Sequence, residues 1–425
     1  MRFLSALTVL AATAIHVAAL VTRASEATYD GVKVLRVPLH GEAEVAKMEA
    51  LIKDLDLDTW SDFIVASAPV DVLVPSAQAA AFDAAFKDYT VIHEDLGAAI
   101  KEESEGLVSN ARLAKGSAAS LADLTWFNAY HPFAEHPTFL SELQAQYPTN
   151  SELLTAGTSL EGRPIRGIHL WGSGGKGVKP AVVFYGTLHA REWISTPTVE
   201  YILYQLMSST ATDVKTLLNT YDFYIFPVVN PDGFTFSQTT TRLWRKDRSR
   251  PPSGSSCYGV DLNRNWNIRW STTGGASTSP CDDTYKGPSV ASTTEVKALQ
   301  AFSQNLMSRT GIKLFIDFHA YGQLFLYPTG YSCTPHPNSS YYQNLGNTFD
   351  RAVRASRGTT YSVEQACTLY LTTGASDDWH YGTLNVTNAF TVELPSRSSF
   401  VLPASSILPV AQETWPGVLA LLKAL

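Results

Sequence analysis

The sequence predicts two folded units in tandem, a small α+β unit and then one α/β domain of about 300 residues. Three observations predict this. At 425 residues the chain exceeds the roughly 100–200 that one domain uses. Its early part reads strand–helix–strand–helix–strand and closes in a loose basic stretch. Beyond that stretch, almost continuous apolar strands alternate with helical patterns, as in a sheet covered on both faces.

The elements follow in order. Arg2 precedes an apolar run to about Val21, with small residues after it, which reads as a secretory signal peptide over 1–24. No basic stop-transfer cluster follows, and no later stretch approaches a transmembrane length, so no membrane span is expected. Residues 32–37 alternate as a strand. Val45, Met48, Leu51, Ile52 and Leu55 repeat at helical spacing within 42–57. Residues 70–75 and 89–93 read as strands, 77–86 as an alanine-rich helix and 63–65 as an extra strand. From 96 to 119 a helix gives way to Lys115 and a run of small residues, where proteolysis is easy. This delimits a unit over 25–115 and a domain over 116–425. In the domain, 180–186, 224–229 and 313–318 are strands. Thr196-Pro197 opens a helix through Val199, Ile202, Leu203 and Leu206, with the threonine hydroxyl as cap. There is no internal repeat.

Composition narrows the class. With 45% hydrophobic and 17% charged residues, the chain cannot be generally disordered. A net charge of −7 gives no basic surface for nucleic acid. The four cysteines, Cys257, Cys281, Cys333 and Cys367, allow three pairings, and spacing does not choose among them. Asn338 and Asn385 each begin a glycosylation sequon.

The chemistry gathers at strand ends. His189 and Glu192 follow the 180–186 strand three residues apart, so both face one side of a turn. His319 ends another apolar strand. Two histidines and a glutamate with an open fourth position make a catalytic zinc set. A lone His-x-x-Glu is more often a solvated face, and His40, His93, His131, His136, His169, His336 and His380 carry the structural reading. The surroundings raise the odds: Arg245 and Arg264 stand in distinctive contexts, and guanidinium forks suit a carboxylate substrate and a developing oxyanion. Glu393 ends a further strand and can serve as base toward an activated water.

These motifs, His-Ala-Arg-Glu-Trp-Ile, Val-Asn-Pro-Asp-Gly-Phe, Gly-Val-Asp-Leu-Asn-Arg-Asn-Trp, Ile-Asp-Phe-His and Thr-Val-Glu-Leu, stand in the order found in the secreted zinc carboxypeptidases of the pancreatic A/B type, which the chain closely resembles after its leader. The resemblance implies a single mixed sheet with helices on both faces, preceded by a ferredoxin-like prodomain. It implies one Zn2+ on His189, Glu192 and His319, with Asp261 orienting a zinc histidine. It makes Glu393 the general base and acid and Arg245 the oxyanion partner. Asn263 and Arg264 would clamp the terminal carboxylate, Arg191 would lie on the substrate path and Tyr370 would close over bound substrate. It pairs Cys257 with Cys281 and Cys333 with Cys367. Ala190 and Ala320 replace common serines without removing a ligand.

The expectation is a secreted, monomeric zymogen, cut by an activating endoprotease, that removes single residues from peptide and protein C-termini. Asp377 occupies the position that is aspartate in B-type and apolar in A-type members, which predicts a preference for Lys or Arg; large apolar side chains are the alternative. Among the other pocket positions, Gly330 replaces a serine common in B-type members and Gln365 is bulky, while Leu326, Thr372 and Thr391 do not decide. Two rivals are an inactive binding protein, disfavoured because the ligands and base are all present, and a hydrolase of N-acyl amino acids or cell-wall peptides.

Overall fold

The computed structural model describes residues 28–66, 68–113, 124–395 and 399–425. The expected leader over 1–24 and the linker around Lys115 lie outside the described residues.

In the first unit β1 (Lys33–Val37), β2 (Val70–Val74) and β3 (Thr90–His93) form an antiparallel sheet of order β2–β1–β3. Strand alternation gives this sheet two faces. Leu35, Val37, Val70, Val72 and Val74 pack against Val45 and Met48 of α1 (Glu42–Leu55) and Phe82 of α2 (Ala79–Ala85). Val34 and Leu73, with Trp60 and with Leu96 of α3 (Leu96–Leu113), meet Phe400 and Val401 of the second domain. Asp71 shares the Leu73 face; it takes a short hydrogen bond from the Tyr321 hydroxyl and pairs with Arg36 at 2.6 Å.

The expected strand over 63–65 is absent. After a bridge between Thr59 and Val72 the chain bends through 61–63 into the second domain, where the Phe63 ring lies 4.8 Å from that of Tyr370. Contacts across the interface outweigh the β-propensity of Phe-Ile-Val.

The second domain holds one mixed sheet of order β10–β9–β11–β8–β6–β7–β5–β4. Its strands are β4 (Ser151–Thr158), β5 (Pro164–Leu170), β6 (Ala181–Gly186), β7 (Asp222–Phe226), β8 (Ile312–Ala320), β9 (Leu324–Tyr327), β10 (Ser362–Gln365) and β11 (Ala389–Leu394). One face packs on α4 (His136–Gln146), α5 (Ser195–Ser208), α6 (Thr212–Thr220), α7 (Pro231–Thr239), α9 (Ser339–Arg357) and α11 (Ile407–Ala424); the other on α8 (Thr294–Arg309) and α10 (Ser376–Gly382). Helix α5 starts one residue before Thr196, and no side chain caps it. The Ser195 hydroxyl instead accepts from the Thr187 amide (3.0 Å) and donates to the Phe318 carbonyl (2.6 Å), fastening the helix start to the sheet.

Strands β6, β8 and β11 are parallel neighbours, with Gly186 opposite Phe318 and His319 opposite Glu393. Their C-terminal ends therefore coincide, and that edge of an open α/β sheet is where ligands bind. Among the described residues, no helix is long and apolar enough to cross a membrane.

Candidate active site

The Glu192 amide donates to the His189 carbonyl (3.3 Å) in the turn after β6, which brings the two side chains to one side. His319 comes from β8. The three buried residues offer ligand atoms all within 4.8 Å of one another. His189 Nδ1 lies 2.8 Å from Glu192 Oε1, His319 Nδ1 lies 3.0 Å from Glu192 Oε2, and the two Nδ1 atoms are 3.0 Å apart. Behind them, His189 Nε2 meets Asp261 Oδ1 at 3.1 Å, and His319 Nε2 lies 3.2 Å from Asp317 Oδ2. Carboxylates behind both rings favour the proton on Nε2 and turn the Nδ1 lone pairs toward each other. Such an arrangement needs positive charge between the nitrogens, and a neutral-imidazole and carboxylate set of this kind suits zinc. Burial opposes ionisation of Glu192, but the two imidazoles outweigh it and hold the carboxyl below its usual range.

Glu393 and Arg245 line the same cavity of about 350 Å³. Burial pushes Glu393 up to about 8; Glu192 and Asp62 add to this, and His319 and Arg245 oppose it. A base whose pKa lies near the working pH is suited to proton transfer. Arg245 is fixed by two bonds to Asp261 Oδ2, at 3.1 and 3.0 Å. Asn263 Oδ1 accepts from the Ser376 amide (2.8 Å), which ties the Asn263–Arg264 segment to the start of α10.

A residue that sequence reasoning missed occupies the centre. Asp62, from the first unit, sits 2.9 Å from Arg245, 3.3 Å from Arg264 and 3.7 Å from Arg191, and accepts from the Tyr370 hydroxyl at 2.8 Å. Burial opposes its ionisation, but Arg245, Arg264 and Arg191 hold the carboxyl below its ordinary range. Arg191 also donates to Asp283 (2.8 Å) and stacks on Phe400. Asp317 was missed too, although it stands two residues before His319 on the same strand, where side chains share a face.

Asp377, in the first turn of α10, lines the cavity beneath this cluster. Burial pushes it up to about 6; backbone amides oppose the shift and Asp317 adds to it. Asp378 turns away to accept from the Gly330 amide at 3.0 Å. Gln365 turns away as well, bonding the carbonyls of Ser332 (2.8 Å) and Thr334 (3.1 Å), so its bulk does not enter the cavity. Cys257 is bonded to Cys281 and Cys333 to Cys367. Asn338 and Asn385 are both exposed.

Residues 137–417 match the zinc carboxypeptidase family, and residues 35–103 match the carboxypeptidase activation peptide. A metallocarboxypeptidase A-like protein of Trichophyton verrucosum is 43% identical over 403 residues, covering 93% of each chain. Carboxypeptidase A2 of Rattus norvegicus is 36% identical, over 92% of this chain and 93% of that one. The crystal structure of carboxypeptidase A from Helicoverpa armigera superposes with a TM-score of 0.80 at 28% identity, over 93% of this chain and 98% of that one. The cluster at the strand ends thus lies in a chain that belongs to the zinc carboxypeptidase family and carries that family's activation peptide ahead of its enzyme domain.

Proposed function

We propose that the mature enzyme hydrolyses the last peptide bond of peptides and proteins, with basic C-terminal residues preferred, and that Asp62 holds the uncut chain inactive. One observation carries this reading: a carboxylate already occupies the fork of Arg245, Arg264 and Tyr370, beside the His189–Glu192–His319 cluster. A free C-terminus presents the same group, so the seat of Asp62 is chemically the seat of a substrate terminus.

His189, Glu192 and His319 would hold the ion and Asp261 would orient His189. Zinc, when bound there, supplies a Lewis acid that polarises a carbonyl and acidifies a water. Glu393 takes the proton of the attacking water and returns it to the departing amine. Arg245 faces the negative charge that develops on the carbonyl oxygen. Asn263, Arg264 and Tyr370 fix the terminal carboxylate, and Arg191 lies along the chain leading to it. Asp377 at the floor supports selection of Lys or Arg, because an apolar side chain would leave it desolvated without a partner. The apolar wall of Leu324, Leu326 and Ala375 favours the second reading, large apolar residues.

The domain boundaries at 24 and 115, secretion, glycosylation at Asn338 and Asn385, a monomeric state and a cut by an endoprotease near Lys115 complete the proposal. The test is a panel of peptides ending in Arg, Lys, Phe and Leu, with N-acyl amino acids, given to the activated protein with and without a chelator. Release of single C-terminal residues that stops with chelator is expected. Hydrolysis of N-acyl amino acids alone would reject the peptidase reading, and faster release of Phe than of Arg would reject the basic preference.

A further inference from the structure

Ser376 opens α10 and is fully buried, and its amide, carbonyl and hydroxyl are each held by a different neighbour. The amide donates to Asn263 Oδ1 at 2.8 Å. The carbonyl accepts from His380 Nδ1 at 2.8 Å, and the His380 ring is itself stacked on Phe315 of β8, with centroids 3.6 Å apart. The hydroxyl donates to Asp317 Oδ2 at 2.6 Å. Amide and carbonyl fix where the residue stands, so its hydroxyl reaches β8 from a set point.

The receiving carboxylate has little else to hold it. Asp317 is fully buried, and its Oδ1 has no hydrogen-bond partner among the described residues. Its Oδ2 is also the atom that faces His319 Nε2, 3.2 Å away. Asp317 and His319 stand two residues apart on β8 and so share a strand face. That spacing brings the carboxylate beside the ring but does not choose its rotation. The bond from Ser376 does. An imidazole whose outer nitrogen is held by an oriented carboxylate presents its other nitrogen in a fixed direction and is a more basic ligand.

We propose that Ser376 is a positioning residue for the metal site: its hydroxyl aims Asp317 at His319, while its amide ties the same point of the chain to Asn263. One serine thereby holds a zinc histidine and the clamp on the terminal carboxylate in register. This rests on the assignment above of His319 to the metal and of Asn263 to the clamp. Ser376 is not among the residues that line the cavity, so it acts through these two neighbours. The two arms are separable. Removing the hydroxyl strips a buried carboxylate of its donor, whereas the amide bond to Asn263 survives a change of side chain.

The test compares Ser376→Ala, Asp317→Asn and the double variant as full-length, zinc-loaded chains dialysed against graded chelator. Each single variant should bind zinc about tenfold more weakly, within the range for outer partners of a ligating histidine. The double variant should bind no more weakly than Asp317→Asn alone, because Ser376 acts through Asp317. In activated, reloaded Ser376→Ala, kcat should fall while KM for a peptide stays, since the amide still anchors Asn263. Wild-type zinc retention in Ser376→Ala, or losses that add in the double variant, overturns the proposal. So does a lower unfolding midpoint of the metal-free chain with zinc retention unchanged, which is the mark of a purely structural serine. Should the alanine variant fail to fold, Asp317→Asn still decides, and unimpaired zinc retention there overturns the proposal. Full zinc retention in His319→Ala would reject instead the ligand assignment on which the proposal rests.

Discussion

In the corner built by His189, Glu192, His319 and Arg245, each polar group is held by another group of the same domain: the two rings by Asp261 and Asp317, the guanidinium by Asp261, the glutamate by both rings. In the pocket over Asp377, in the same cavity, that carboxylate meets backbone amides and has no side-chain hydrogen bond among the described residues. The corner is preorganised, since its groups are oriented before anything binds and need no rearrangement as charge develops. The pocket is waiting for a partner, and an unpaired buried acceptor penalises whatever fails to complete it. Substitutions in the corner should therefore cost rate with every substrate, whereas substitutions in the pocket should change which substrate is favoured.

The largest effect should come from Glu393→Gln. The amide keeps the shape but cannot take a proton, and loss of a general base costs about 10²–10⁴-fold. Turnover of all substrates should fall together while zinc content, read by metal analysis, stays at one per chain. Near-normal turnover with metal bound would remove Glu393 from the chemistry and break the contrast at its strongest point.

Asp377→Ile examines the other side. Removing one partner of a buried charge pair costs roughly 2–5 kcal/mol, so the Arg:Phe ratio in kcat/KM should fall on the order of 100-fold, with little loss on Phe. Burial pushes this carboxyl up to about 6. The wild-type ratio should accordingly fall as pH drops through that value, because the neutral acid no longer attracts a cation, and the isoleucine variant should show no such slope. A uniform loss on all four substrates would place Asp377 with the corner instead.

Asp261→Asn probes the support behind the corner. Changing such an outer partner of a ligating histidine costs about 10–100-fold in metal affinity. Dialysis against graded chelator should show zinc leaving at correspondingly lower chelator strength, with the Arg:Phe ratio of the reloaded enzyme unmoved. A changed ratio with unchanged affinity would reverse the assignment of Asp261.

The two regions were unequally legible in the sequence for the same physical reason. His189, Glu192, His319 and Glu393 stand at the ends of apolar strands buried on both faces, and such strands announce themselves by continuous hydrophobicity. The local i,i+3 spacing of His189 and Glu192 needs no knowledge of the fold. The pocket is assembled from positions far apart in the chain, so the sequence alone could neither turn Gln365 away from it nor seat Asp378 on the Gly330 amide. Asp62 was the hardest to see. Its partners lie more than 100 residues away in a different unit, and Phe63-Ile64-Val65 beside it has every local mark of a strand. Contacts across the interface, from the arginines and Tyr370, make it a loop.

Asp62 stands between the two regions, since its carboxylate satisfies the corner's arginines only while the first unit is docked, and the effect of replacing it should be the smallest of the set. Asp62→Asn keeps the bond from Tyr370 and loses the charge that faces Arg245, Arg264 and Arg191. The uncut protein should hydrolyse short peptides about tenfold faster than the uncut wild type, on the scale of one weakened charged hydrogen bond of about 1.5 kcal/mol. The sign of the pH effect follows from the depressed carboxyl of Asp62. A group held below its unfolded value of about 3.9 stabilises the docked state fully above that pH and ceases to do so as pH falls through its folded value. The difference in unfolding midpoint between uncut wild type and variant should therefore be constant from neutral pH down to about 4 and shrink below it. Subtracting the variant removes the titration of every other group, zinc ligands included. A difference that does not depend on pH would mean that Asp62 acts by shape alone, and that the fork of arginines does not read charge.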